Sequence, residues 1–344
     1  MGCTPLASVI NVERLCIRGA TGARRRAALP SHGTDKSHGL GGSPSPGGLL
    51  HPCRAGGPIS LATVHQKTGT GGTLMSLFIP ADDGKGNVRA IASPKTHEVQ
   101  HLSLDIARLA LGQSHAGGTE GRELCIVILG GQLDVTAGDE TFEGIGQRAN
   151  VFGGAATAVY VPPGTSYQIR GSGEVGAEAA LCYAASEDGA DVTLIEPADV
   201  VARDVGAGNW RRSVQDVLAK VPARTLLLGE TYNAPGNWSS YPPHKHDEDK
   251  PGQEVILEEI YHFRANPPGG FGVQCLYTED QSLNEAMLVR DGDTVIIPRG
   301  YHPVAAAPGY EIYYLWFLAG PRRTMRPFDD PAHAWVKATE AMLK

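Results

Sequence analysis

The chain has 344 residues, with 30 Lys and Arg against 37 Asp and Glu and a formal net charge of -7. That length is enough for two domains with cores of their own, and no apolar run approaches the roughly 20 residues a membrane-spanning helix needs. The mild acidity argues against a nucleic-acid surface, which wants clustered Lys and Arg, but it admits a small anionic substrate met by one or two placed cations.

Residues 1–74 are rich in Gly, Ser, Pro and Arg, include GLGGSPSPGG, and carry no sustained helical or strand period. Such a composition buries too little apolar surface to offset the entropy lost on ordering. The expectation is a disordered or non-native extension upstream of a start at Met75. The arginines (Arg14, Arg18, Arg24, Arg25, Arg26) leave a transit peptide as the alternative. The six cysteines show no CxxC and no regular spacing, which points away from a disulfide framework and towards a reducing, cytoplasmic setting.

From Met75 the pattern turns to strands. VQHLSLDIARLAL, LCIVILGGQLDVTA and AVYVPPGTSYQIRG are short apolar or alternating runs broken by Gly, Asp and Pro. Strands without intervening helices indicate an antiparallel sandwich or barrel, so the fold class is all-β. DVTLIEPADVVARDVGAGNWRRSVQDVL bridges to a second strand-rich half. The two halves repeat one plan: AVYVPPGTSY matches TVIIPRGYHP, and Glu123 before LCIVIL is paired with Glu259 before IYHF. A duplicated barrel is expected, spanning residues 75–195 and 196–344. The tail DDPAHAWVKATEAMLK reads as one short helix, with Asp330 as N-cap and Pro331 at the first helical position.

The second half carries the chemistry. WSSYPPHKHDEDKPGQEVILEEIYHFR holds a His-x-His pair. Residues i and i+2 of a strand face one side, so His244 and His246 can share an ion while Lys245 points away. Leu257, Glu259, Tyr261 and Phe263 form the more apolar face of the following strand, which places Glu259 inside rather than Glu258. His302 follows the rigid Pro298-Arg299-Gly300 turn. Three imidazoles and a carboxylate suit a borderline divalent ion, with Zn first and Mn or Fe next. The first half offers His115 and Glu123 but has Ser166 where His302 would be and no His-x-His, so its site is expected to be degenerate.

NWSSYPPHKHDED, LEEIYHFRANPPGGFGVQCLYT and VRDGDTVIIPRGYHPVAAAPGYEIYYLWFLAGP resemble the 5-deoxy-glucuronate isomerase family of myo-inositol catabolism. The resemblance runs from about Met75 to the C-terminus and implies two tandem cupin (jelly-roll) barrels. It also implies a metal held by His244, His246, Glu259 and His302, and conversion of 5-deoxy-D-glucuronate to 5-dehydro-2-deoxy-D-gluconate. Such an isomerase moves a proton between adjacent carbons while a cation stabilises the enediolate oxygens. Tyr261, Tyr241 and Tyr301 are the candidates for the proton transfer; Lys245 and His262 face outward by parity and are weaker. Arg299 or Arg264 is expected to hold the substrate carboxylate. Alternatives are a cupin isomerase of pectin-derived hexulose uronate, a metal-dependent dioxygenase, or a non-catalytic sugar-binding cupin. Neither nucleic acid nor membrane is expected as a partner, whereas exposed sheet edges leave a homo-oligomer open.

Overall fold

A computed structural model describes residues 76–82 and 86–343; the expectation for residues 1–74 lies outside that range. The first strands are β1 (Phe78–Ile79), β2 (Val88–Ala92), β3 (Leu102–Leu109), β4 (Ser114–Gly118), β5 (Arg122–Ala137) and β6 (Glu140–Ile145). After them come β7 (Thr157–Val161), β8 (Ser166–Ala185) and β9 (Thr193–Ile195). One sheet runs β2-β3-β8-β5-β7-β9, with β4 on β8 and β6 on β5.

The later strands begin with β10 (Val201–Val205), β11 (Arg212–Asp216), β12 (Leu227–Asn233), β13 (Trp238–Ser239), β14 (His244–Lys245) and β15 (Glu258–Asn266). They continue with β16 (Phe271–Tyr277), β17 (Asn284–Arg290), β18 (Thr294–Ile297), β19 (Val304–Ala306), β20 (Glu311–Ala319) and β21 (Phe328–Asp329). A second large sheet runs β1-β18-β15-β20-β12-β11-β10, and a smaller one runs β13-β19-β16-β17. β1 thus crosses to the second sheet, where Phe78 sits opposite Val295. Among the described residues β14 pairs only with β21, placing His244 opposite Asp329.

Alternation along the strands builds three cores. Leu124, Ile126 and Ile128 point into the first barrel, while Leu257, Tyr261 and Phe263 point into the second. Cys125, Val127, Ile260 and Phe317 fill the space between the large sheets. Both faces of β5 are therefore buried, which is why LCIVIL reads as an unbroken apolar run rather than an alternating one.

Register corrects the pairing of the two halves by one residue. Leu124 is opposite Val161 and Glu259 opposite Ile297, and each partner precedes the proline of its turn. Leu124, not Glu123, is thus the counterpart of Glu259. Glu123 corresponds to Glu258, opposite Ala184 and Ala319 respectively. Both of these carboxylates reach across to the other half. Glu258 accepts from the backbone amides of Gln100, His101 and Leu102 at 2.7–2.8 Å. Glu123, fully buried, accepts from the amides of Arg224, Thr225 and Leu226 at 2.5–3.0 Å and from the Tyr160 hydroxyl at 2.7 Å. A one-residue shift turns a side chain to the opposite face of a sheet, so an inward carboxylate and a carboxylate gripping the neighbouring half occupy adjacent positions.

The terminal helix α1 spans Trp335–Leu343, starting later than the Asp330–Pro331 pair suggests. Asp330 still caps the preceding turn: its carboxylate accepts from the Ala332 amide at 2.9 Å and its carbonyl from the Ala334 amide at 2.8 Å. Its other carboxylate oxygen accepts from the Tyr277 hydroxyl at 2.7 Å, and this tie to β16 holds the turn in place.

Candidate metal centre

His244 leaves the edge of the short β14–β21 pair, while His246 and His302 lie deeper and are buried. A donor nitrogen of each of the three lies within 4.8 Å of the others. Glu259 enters from β15, as strand parity places it, with Oε2 at 3.1 Å from His246 Nε2 and 3.3 Å from His302 Nε2. The local chain geometry aims these groups. Gly300 has φ of +91°, and a Cβ there would come within 2.7 Å of the Tyr277 carbonyl, so the turn that delivers His302 requires glycine.

Tautomers follow from the outer hydrogen bonds. His246 Nδ1 lies 2.8 Å from the Leu257 carbonyl and His302 Nδ1 lies 2.9 Å from the Gly300 carbonyl. A carbonyl only accepts, so each Nδ1 donates and each Nε2 is left to present a lone pair to Glu259. His302 Nε2 is buried with no hydrogen-bond partner. Two imidazole Nε2 atoms and a carboxylate oxygen therefore converge on one point, a set of donors that a shared cation, whether proton or metal, holds together. Burial, followed by the charge of His246, pulls the His302 pKa down to about 3. Burial and the neighbouring histidines push His244 well down as well. For His246, burial opposes charging but is outweighed by the Glu259 carboxylate, which draws the proton a metal would replace. The donor set fits a divalent metal ion.

A second set of contacts fixes the strand carrying the histidines. Lys245 does point away from the cluster, as parity requires, but it is buried rather than solvated. Its ammonium contacts Asp247, Glu248 at 3.1 Å and Glu254 at 3.2 Å. Asp247 in turn accepts from the Gly300 amide at 2.7 Å, joining the His-x-His segment to the His302 turn. His262 likewise faces away from the cluster yet is buried between the sheets, with Nδ1 2.9 Å from the Thr294 hydroxyl.

The cluster opens on a cavity of about 540 Å³ whose wall includes His244, Glu259, Tyr241, Tyr261, Tyr314 and Arg212. Tyr261 is buried and its hydroxyl lies 3.2 Å from Ser240 Oγ; its ring is 6.0 Å from that of His302. Tyr241 packs against Trp238 at the cavity wall. Three expected residues are not brought into this cavity. The Tyr301 hydroxyl donates to Glu279 at 2.8 Å and its ring packs on Tyr277. Arg299 is aimed at Ser282 on the surface. Arg264 leaves the opposite face of β15 and pairs with Glu178 at 2.8 Å and Asp291 at 3.4 Å. The physical reason is parity: Arg264 shares its face with His262, and Tyr301 is one residue out of phase with His302.

Sequence reasoning missed Arg212, Tyr314 and Ser240. Tyr314 reaches the cavity because Phe263 opposite it fixes the inward face of β20, a long-range pairing that the unbroken apolar run of that strand does not reveal. Arg212 was not legible either, since nothing local in the bridging segment says that β11 lies against β12.

In the first half Leu124 replaces the carboxylate, and Ser166, exposed at the start of β8, replaces the third histidine. His115 packs at a tilt against Tyr167, with ring centroids 6.1 Å apart. Among the described residues, His244, His246 and His302 make the one such cluster.

The profile of the KduI/IolB family matches residues 77–336. The 5-deoxy-glucuronate isomerase of Geobacillus kaustophilus (strain HTA426) is 40% identical over 272 residues, covering 78% of this chain and 98% of that protein. The crystal structure of an IolB-like protein from Salmonella typhimurium LT2 superposes with a TM-score of 0.73 at 38% identity, covering 76% of this chain and 99% of that one. Bacillus subtilis oxalate decarboxylase, a cupin described with Mn(II) centres, matches with a TM-score of 0.52 at 12% identity over 75% of this chain and 80% of that one. At that identity the last likeness speaks for the fold, which is the all-β cupin architecture with a single terminal helix. With a family profile spanning three quarters of its length and a relative matched almost end to end, the chain belongs to the KduI/IolB family.

Proposed function

We propose that the protein isomerises 5-deoxy-D-glucuronate to 5-dehydro-2-deoxy-D-gluconate, an aldose–ketose conversion. The observation that carries this reading is the convergence of three imidazoles and Glu259 at the floor of a cavity, in a chain 40% identical to an enzyme of that name. His244, His246, Glu259 and His302 would hold the metal, with Zn favoured by the imidazole-rich set and Mn or Fe as the alternatives. A bound divalent ion would supply positive charge to the oxygens on the two reacting carbons.

The chain's own residues do the remainder. Tyr261, with its pKa pushed well up by burial and by Glu259, keeps its proton and can donate a hydrogen bond to a substrate oxygen beside the cluster. Tyr241 stands at the wall as the second candidate for guiding the transferred proton. The apolar barrel face behind Tyr261 keeps water from the reacting carbons. The first barrel is proposed to be a structural partner whose site is lost, and residues 75–195 and 196–344 to be the two barrels, β1 excepted. The free thiols Cys125, Cys182 and Cys275 suit the cytoplasm, which is where we place the enzyme. Among the described residues no helix is long and apolar enough to cross a membrane. Self-association through open sheet edges is proposed as well, and the molar mass in solution decides it.

The test uses the full chain. Elemental analysis should find one equivalent of metal, and the parent should convert 5-deoxy-glucuronate but not the hexulose uronate of pectin breakdown. His302→Ala should lose both metal and turnover. Turnover of the hexulose uronate instead would reassign the substrate, and a metal-free parent with full activity would end the proposal.

A further inference from the structure

We propose that Arg212 is the specificity-determining cation that grips the carboxylate of the sugar acid; the inference rests on the isomerase reading. Four basic side chains line the cavity: Arg203, Arg212, Arg323 and Lys337. Three are engaged elsewhere. Arg203 pairs with Asp216, and Lys337 pairs with Asp329. Arg323 donates to the Leu226 and Leu218 carbonyls, each at 2.8 Å, and so faces the link between the halves.

Arg212 differs in both support and direction. Its Nη1 donates to the Tyr241 carbonyl at 3.0 Å and to that of Trp210 at 3.3 Å, two backbone groups that fix the guanidinium. Gly206 lets it settle there, because a Cβ at that position would come within 3.0 Å of the same nitrogen. A guanidinium offers five N–H donors in a flat fork, and the carbonyls engage only one of its nitrogens. It lines the same cavity as His244, Tyr261 and Tyr314, the first of them a member of the histidine cluster. Glu340 of α1 and Arg203 are the other charged groups that act on it. Burial lowers its pKa, against the opposing pull of Tyr314, Tyr261 and Glu340. A substrate with an aldehyde at one end and a carboxylate at the other would span from the cluster to this fork, which is suited to a bidentate grip.

The experiment compares metal-loaded parent, Arg212→Gln and Arg212→Lys with 5-deoxy-glucuronate and with its carboxamide, which lacks the charge. For Arg212→Gln, kcat/KM on the acid should fall about a hundredfold, the size expected for charge-assisted hydrogen bonds, with most of the change in KM. The carboxamide should lose distinctly less, because only a hydrogen bond from the guanidinium and no ion pair is removed. Arg212→Lys should recover part of the loss, since it restores charge without the fork. Both variants should keep the parent's metal content. Equal losses on acid and carboxamide, or metal lost from both variants, would overturn the proposal. A parent that binds metal but turns over neither compound would instead refute the isomerase reading. Arg212 would then be judged by calorimetry with D-glucuronate against D-glucuronamide, where a preference for the acid that survives in Arg212→Gln also overturns it.

Discussion

Around the histidine cluster, single side chains divide into those that would touch a bound ion and those that aim them. Asp247 is the clearest of the second kind: it accepts from the Gly300 amide while the Lys245 ammonium holds it from the other side. Removing the charge in Asp247→Asn leaves the four donors in place but loosens the angle between the His-x-His strand and the His302 turn. Metal affinity is expected to fall ten- to a hundredfold, the range typical of groups that orient metal ligands, as read by competition with a chromophoric chelator. An unchanged affinity would make the network a purely structural one. Much of this scale was legible beforehand. His244, His246, Glu259 and His302 follow from strand parity and one rigid turn, because both are local properties of the chain. Arg299 and Arg264 misled for a physical reason: closeness in sequence to a ligand says nothing about which face of the strand a long side chain leaves from.

The elements that present the site are short and depend on one another. β14 has two residues and takes its sheet partner from β21, so the His-x-His segment is shaped by the tail as much as by the barrel. The Pro298-Arg299-Gly300 turn bears the same burden for His302. Gly300→Ala introduces a Cβ against the Tyr277 carbonyl at a positive φ, which should destabilise the fold by about 1–3 kcal/mol. The displaced turn should also lower metal content below one equivalent at a concentration that saturates the parent. Thermal unfolding and elemental analysis together check this, and full occupancy with an unchanged midpoint would refute it. Strand existence was readable from apolar runs bounded by Pro and Gly. The start of α1 was not, because the tie between Tyr277 and Asp330 is a contact with a distant strand that delays the regular helix.

For the whole molecule, the repeat was visible in the two Pro-containing turns, yet its phase was not visible in the two glutamates. The β5 and β15 starts can be aligned only through their partner strands, and those pairings are long-range. Once in phase, Glu123 and Glu258 appear as reciprocal grips, each accepting a run of backbone amides from the other half. Glu123→Ala would leave three backbone amides and the Tyr160 and Thr225 hydroxyls without their acceptor and is expected to cost about 3 kcal/mol, by analogy with other hydrogen bonds to charged groups. Guanidinium unfolding should show it as a lower midpoint, with metal content of the folded protein unaltered. A midpoint equal to the parent's would mean that water satisfies those amides and the grip is incidental.

The pairing of His244 with Asp329 also bears on biosynthesis. During translation the first strand of the cluster is made well before the segment that gives it a sheet partner. A growing chain thus exposes His244 and His246 as an ordinary flexible pair, with the modest affinity of any two histidines. The four proposed donors would have their full support only once the tail has emerged and paired with this strand. For the proposed metal site, selection of the ion would in that way be postponed to the finished protein, where geometry rather than the first available ion decides what is held.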